Sequence, residues 1–147
     1  MSVLAEIRPD EWNYVLLLHI GGAMILFGGT FTAASALAFA RGDARILRLG
    51  YWSLLTVALP GYVLMRIGAE RILTKEGIGE PDWIGVGYLV ADLSALLLLI
   101  ALIVGGIGVY RLRSGKGTVF LQATMAISLV LLVGYTAAIW AMSGKPG

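Results

Sequence analysis

The chain has 147 residues, of which 59% are hydrophobic and 14% are charged. A soluble globular domain is about one-half apolar and about one-quarter charged, so this composition argues against a soluble protein. The formal net charge is +2, and the basic residues lie at the ends of apolar runs, so no nucleic-acid footprint is indicated. There is no cysteine, which excludes disulfides, thiolate metal ligands and a thiol nucleophile.

Four apolar runs follow one another along the chain, and each is long enough to cross a bilayer as a helix. The runs are too long for the strands of a barrel, so we predict an all-α integral membrane protein. The first and third runs follow the helix-start signals Pro9-Asp10 and Pro81-Asp82, and the second contains Pro60, which usually kinks a membrane helix. We predict a single domain over residues 1–147, with helices at about 12–40, 47–72, 83–110 and 119–142.

Short connections predict that sequential helices are antiparallel neighbours, which gives an up-down-up-down four-helix bundle. Basic residues cluster in the turns at 41–48 and 111–116 and are diluted by acids on the other side. The positive-inside rule then places both turns in the cytoplasm and both termini outside. Trp12, Trp83 and Trp140 would lie at the outer interface. We expect a multi-pass protein of the bacterial inner (plasma) membrane.

Three residues whose side chains can carry a charge near neutral pH, His19, Arg66 and Asp92, fall more than one turn inside the predicted spans, where such residues are rare and often functional. His19 lies seven residues after Trp12, and Asp92 nine after Trp83, so both are roughly 10 to 13 Å from one interface. Arg66 lies near the same end of the second helix. Helical periodicity predicts that His19 shares a face with small residues and points into the bundle. It also predicts that Asp92 lies on a packing face.

These positions predict an intramembrane polar cluster near one face of the bilayer. Its predicted members are His19, Arg66, Asp92, Glu70, Tyr62, Tyr88 and Tyr135. The functional interpretation is a binding or reaction site. The structural interpretation is that Asp92 neutralises Arg66 while His19 bonds a neighbouring carbonyl, since buried charges need partners in any case. The sequence leaves both open and identifies no catalytic residue.

The stretch Leu18-His19-Ile20-Gly21-Gly22-Ala23, followed by Gly28-Gly29, resembles the first helix of the DUF2269-type small predicted integral membrane proteins. The basic turn and the Leu59-Pro60-Gly61 kink are similar to theirs, and the likeness covers roughly residues 12–110. This resemblance implies a fold and a compartment, and no settled activity. The pattern is more distantly similar to copper-resistance CopD proteins and HemJ-type protoporphyrinogen oxidases, which implies haem or metal handling through His19.

Three functions are compatible with these features. We favour a non-catalytic subunit or accessory of a membrane assembly, because the loops are short and the helices are rich in glycine. The second is a haem- or metal-linked redox protein using His19, with a second axial ligand from Met24, Met65 or the His19 of another copy, or with an open position. The third is a dimeric small-solute or ion transporter built around Asp92 and Arg66. Expected partners are the lipid bilayer and either a homo-oligomer or a larger membrane complex, and no nucleic acid.

Overall fold

The computed structural model describes residues 10–76 and 82–144, and every element in these ranges is helical. In chain order they are α1 (Asp10–Phe39), α2 (Ala44–Ser53), a π-helical segment (Leu54–Ala58), α3 (Leu59–Glu76), α4 (Asp82–Arg111), a 3₁₀ turn (Leu112–Ser114) and α5 (Thr118–Gly144). The stretch α2–π–α3 is one continuous helical segment. Four helices are therefore long and apolar enough to cross a membrane, as predicted.

The second helical segment runs from Ala44 to Glu76, so it is longer at both ends than the predicted range 47–72. Its early start has a local cause: the Asp43 side chain caps the helix by accepting a hydrogen bond of 2.7 Å from the Arg45 amide. Immediately before it, Arg41 and Gly42 adopt positive φ angles of 45° and 88°. This turn reverses the chain within the four residues between Phe39 and Ala44.

The π-helical segment lies immediately before Pro60, and we attribute it to this proline. Proline has no amide hydrogen, and its ring crowds the carbonyl of the preceding turn. The turn just before it is widened, so that the Leu59 amide donates to the Leu54 carbonyl five residues back. The predicted irregularity is thus a π bulge in an otherwise continuous helix.

Glycine allows α1 to contact the second helical segment backbone to backbone. A Cβ on Gly22 would overlap the backbone of Met65, and one on Gly29 would overlap that of Ala58. Gly21 and Gly28, the other members of the two glycine pairs, face open space. The contacts run in opposite chain directions, so α1 and the second segment are antiparallel, and Ser53 adds a 2.8 Å hydrogen bond to the Gly29 carbonyl.

One leucine from each of the four spans meets at the centre of the core, namely Leu26, Leu54, Leu98 and Leu131. Helix α4 packs along α5, and α5 also packs on α1, whereas α4 contacts α3 only sparsely. The result is a gap between α3 and α4 at one end of the bundle. We call this end, where α1 and α4 begin and α3 and α5 finish, the site end, and the opposite end the turn end.

Some predicted features fall outside the part of the chain that the structure describes. These include the side chains of Trp12 and Trp83, and the helix-start residues Pro9 and Pro81. Trp140, the third member of the predicted interfacial belt, lies near the end of α5 and is exposed.

Candidate functional site: a polar cluster beside an apolar cavity

His19 is fixed against the neighbouring helix by its own ring. Its Nδ1 lies 3.0 Å from the carbonyl oxygen of Met65 on α3. The contact is possible because Gly68 and Gly22 bring the two backbones together around it. A carbonyl oxygen can only accept, so Nδ1 carries the proton and Nε2 is the acceptor of the neutral ring. The hydrogen bond to a carbonyl matches the structural interpretation of His19, while Nε2 is left available for other chemistry.

Arg66 bridges the gap between α3 and α4. Its Nη1 lies 2.9 Å from an Asp92 carboxylate oxygen on α4, and its Nε lies 3.2 Å from Glu70 one turn along α3. The guanidinium carbon also lies 5.1 Å from the centre of the Tyr88 ring, within cation–π range. Nη1 is close enough to Asp92 for an ion pair, although the angle is too poor for a hydrogen bond. Two carboxylates therefore surround one cation.

Asp92 faces outward, so the prediction that it lies on a packing face is wrong. Its side chain is 64% exposed, whereas that of Arg66 is 27% exposed. The buried face of α4 follows the sequence Gly87, Ser94, Leu98, Ala101, Gly105 and Gly108. Asp92 shares the opposite face with Leu89, Leu96 and Leu99, all of which are exposed. Its carboxylate therefore lies on the flank of the bundle, where it pairs sideways with Arg66.

The three tyrosines of the predicted cluster make different contacts. The Tyr62 hydroxyl donates to the Ala91 carbonyl on α4 at 3.1 Å and so ties α3 to α4. Tyr88 supplies the ring beside Arg66. Tyr135 is 7% exposed, and its hydroxyl makes no hydrogen bond of good geometry to any described residue, although the Ser94 hydroxyl, which is committed to the Ala91 carbonyl, lies nearby. A buried hydroxyl without a partner is uncommon and calls for a specific explanation.

A cavity of about 100 Å³ lies behind the Arg66 bridge at the site end. All four spans contribute to its mostly apolar wall. Four predicted cluster residues line it: His19, Arg66, Tyr88 and Tyr135. Tyr62, Glu70 and Asp92 are not part of this lining. The cluster is therefore divided into an inner group around the cavity and an outer charged group on the flank.

Several lining residues are not members of the predicted cluster. Ser94, Phe27, Ala91 and Met142 join the wall because the four helices converge there. Of these, Ser94 could have been found from the sequence, since it is a polar residue within an apolar span. Its hydroxyl donates to the Ala91 carbonyl of its own helix at 2.9 Å. The apolar members become site residues only through the packing of the helices.

A haem does not fit between the ligands that this chain offers. Among the described residues, no three histidine, aspartate or glutamate side chains form a group that could hold a metal ion. Met65 lies against His19 with the helices in contact, so no macrocycle can lie between them. Met24 is 70% exposed on the other side of α1. A second axial ligand for a haem on His19 would therefore have to come from another chain, and a haem held by His19 alone would keep an open position.

Comparison with known proteins does not indicate a family or a function for the chain. No protein-family model matches the chain, and neither a curated protein nor a solved structure matches it.

Proposed function

We propose that the chain is a multi-pass protein of a bacterial inner membrane, folded up-down-up-down with both termini outside. The basic turns at 41–48 and 111–116 would then lie in the cytoplasm. Support comes from the positive charge of these turns, whose described arginines and Lys116 are exposed at the turn end. The resemblance of helix one to the DUF2269-type proteins supports the same compartment.

Because the natural chain has no cysteine, single cysteines report this orientation directly. Ser114 lies in the second basic turn and Thr74 at the site end of α3, and both are exposed. In intact cells, a membrane-impermeant maleimide should label Thr74→Cys and should label Ser114→Cys only after permeabilisation. The reverse pattern would invert the proposed topology.

Within that membrane, the protein acts as a non-catalytic subunit or accessory of a larger assembly. The observation that carries this proposal is the exposed Asp92 carboxylate among the outward leucines of α4. Charged groups inside membrane spans usually face protein or water rather than lipid, because their transfer into hydrocarbon costs about 2.5 to 3.5 kcal/mol at a span centre on insertion scales. A flank that carries such a group is suited to contact with another protein.

The charge of this flank favours a particular kind of partner. Arg66, Asp92 and Glu70 carry one positive and two negative charges, so the group has a net charge of −1. Two copies joined through this face would bring like charges together in a medium of low dielectric constant. A different membrane protein that offers a lysine, an arginine or a hydroxyl donor at this depth would instead complement the group.

Extraction of the protein from its native membrane in mild detergent tests this proposal. The wild type should elute as a complex larger than its own micelle, with a constant partner, and Asp92→Asn should shift it toward the smaller species. Asp43→Asn is the matched control. It also removes one negative charge, but from the basic turn between α1 and α2, and asparagine is an equally good helix cap. An elution profile that Asp92→Asn leaves unchanged would contradict a partner at this face.

A haem- or metal-linked role is a second candidate, and one observation favours it. Histidines that ligate metals usually donate a hydrogen bond from the N–H of their other ring nitrogen to a carbonyl or carboxylate oxygen. His19 makes such a bond from Nδ1 to the Met65 carbonyl. A six-coordinate haem or a metal ion would need further ligands from another copy or another protein, whereas a five-coordinate haem would need only His19. Absorption spectra of the purified protein, oxidised and reduced, should then show a Soret band that His19→Ala removes. A spectrum without it would exclude a haem role.

A transporter centred on Asp92 and Arg66 is less well supported. Asp92 lies outside the lining of the cavity, and most of the lining is apolar. Equal uptake by vesicles that contain the wild type or Asp92→Asn would exclude it.

A further inference from the structure

The cavity at the site end combines an apolar wall with two hydrogen-bonding groups that the protein itself leaves unused. The first is the hydroxyl of Tyr135, which lines the cavity and is buried without a partner among the described residues. A hydroxyl removed from water without a hydrogen bond destabilises the folded protein. The unpaired group is explained if a ligand supplies the missing acceptor.

The second unused group is Nε2 of His19. The bond from Nδ1 to the Met65 carbonyl fixes both the orientation and the tautomer of the ring. Nε2 is therefore an acceptor, and it makes no hydrogen bond to any residue that the structure describes. His19 and Tyr135 line the same cavity from α1 and α5. Together they offer one acceptor and one donor.

The charge around the cavity selects an uncharged ligand. Among the residues that the structure describes, Arg66 is the one cation in the lining, and Asp92 and Glu70 already surround it. The group of Arg66, Asp92 and Glu70 has a net charge of −1, so an anionic head group such as a fatty-acid carboxylate gains no free cation from it. A cationic head group would have to leave water for a mostly apolar wall.

The size of the cavity sets which part of the ligand it holds. A volume of about 100 Å³ is below the range of roughly 300 to 1,000 Å³ typical of sites for drug-sized molecules. It fits a head group and not a whole lipid. Ile139 and Met142 line the cavity and are also exposed on the bundle surface, so an attached apolar chain has a path toward the bilayer.

We propose that this cavity binds the head group of an uncharged amphiphile that carries a carbonyl or a hydroxyl group. The Tyr135 hydroxyl donates to the carbonyl oxygen of the ligand, and a hydroxyl of the ligand donates to His19 Nε2. The apolar chain lies along α5. Two membrane sources share this chemistry, namely neutral acylglycerols and lipid-soluble quinones with their quinols.

The test uses two probes, 1,2-dioctanoylglycerol and decyl-1,4-benzoquinone, each titrated into the purified protein in mild detergent by calorimetry. At least one probe should bind with a stoichiometry of one per chain. Tyr135→Phe, which removes only the unpaired hydroxyl, should weaken that binding about tenfold, as expected for one lost hydrogen bond. Tyr110→Phe makes the same change on an exposed residue at the turn end and should leave binding unchanged.

His19→Asn distinguishes the two sources. The asparagine amide can still donate to the Met65 carbonyl, while the acceptor at Nε2 is lost. It should weaken binding of dioctanoylglycerol, whose head carries a hydroxyl. Binding of the oxidised quinone, which has only acceptors, should be insensitive to His19→Asn until the quinone is reduced. Absence of binding by both probes, or binding that Tyr135→Phe does not alter, would overturn the proposal.

Discussion

Arg66 on α3 lies 2.9 Å from Asp92 on α4, across the gap between two helices that otherwise touch little. The pair neutralises two charges within the apolar spans and also holds the wall of the cavity together. Asp92 is exposed on the isolated bundle and Arg66 is partly exposed, so the energy of the pair in detergent should be small even though its position is informative.

A double-mutant cycle on this pair should give a small coupling energy. Asp92→Asn removes the charge at nearly constant size, and Arg66→Gln removes the charge while keeping a polar, unbranched side chain. Because the carboxylate is 64% exposed, we expect a coupling free energy of about 1 kcal/mol or less in detergent. Thermal unfolding of the wild type, both single variants and the double variant measures it. A coupling energy of several kcal/mol would show that the pair is buried in solution, contrary to the structure.

The glycine pairs of α1 should respond asymmetrically to alanine. Gly22→Ala would push a methyl group into the backbone of Met65 and should lower the free energy of unfolding by about 1 to 3 kcal/mol. Gly21→Ala, one residue away, meets open space and should be neutral or slightly stabilising, since alanine favours helix. Melting temperatures of the two variants test the contact. Equal destabilisation by both would be inconsistent with the α1–α3 interface.

The Ser53 hydroxyl ties the second span to α1 at 2.8 Å. Ser53→Ala should therefore cost about 0.5 to 1.5 kcal/mol, the usual net value of one buried hydrogen bond. Thr56→Ala is the control, because the Thr56 hydroxyl bonds only to its own helix at the Trp52 carbonyl. The two variants should differ in unfolding free energy, and a larger effect at Thr56 would argue against the interhelical bond.

Removal of the hydroxyl should have opposite consequences at two tyrosines. Tyr62→Phe loses a hydrogen bond to the Ala91 carbonyl and should destabilise the ligand-free protein by about 1 kcal/mol. Tyr135→Phe removes a buried hydroxyl without a partner among the described residues, so its stability should be unchanged or higher. Chemical or thermal unfolding in lipid-free detergent compares them. A clear loss of stability in Tyr135→Phe would mean that the hydroxyl has a partner.

The four helices were predictable because each apolar run is long enough to span a bilayer, and the length of a run does not depend on the residue at which its helix begins or ends. Their ends were less so: the charges Arg45 and Arg48 obscure the start of α2, which the Asp43 cap determines. Glu70 and Arg66 are both members of the predicted cluster, and their i, i+4 spacing places them on one face of the helix, where the structure pairs them.

The orientation of Asp92 was not predictable from spacing, because α4 is apolar around its whole circumference. Small residues occur on both faces: Gly85 is exposed and Gly87 is buried, so a small residue alone does not mark the interior. The cavity was also beyond sequence reasoning. It depends on how far α3 and α4 separate at the site end, which is a property of packing between distant segments.

The central claim is that the Asp92 face of α4 contacts a partner protein. Photo-crosslinking in the native membrane tests this claim most directly. A photoreactive amino acid at Leu96, one turn from Asp92 and exposed, should give one defined protein adduct. The same probe at Val133, exposed on α5, should react mainly with lipid. Asp92→Asn should reduce the adduct at Leu96. Lipid adducts alone at both positions would contradict the proposed subunit role.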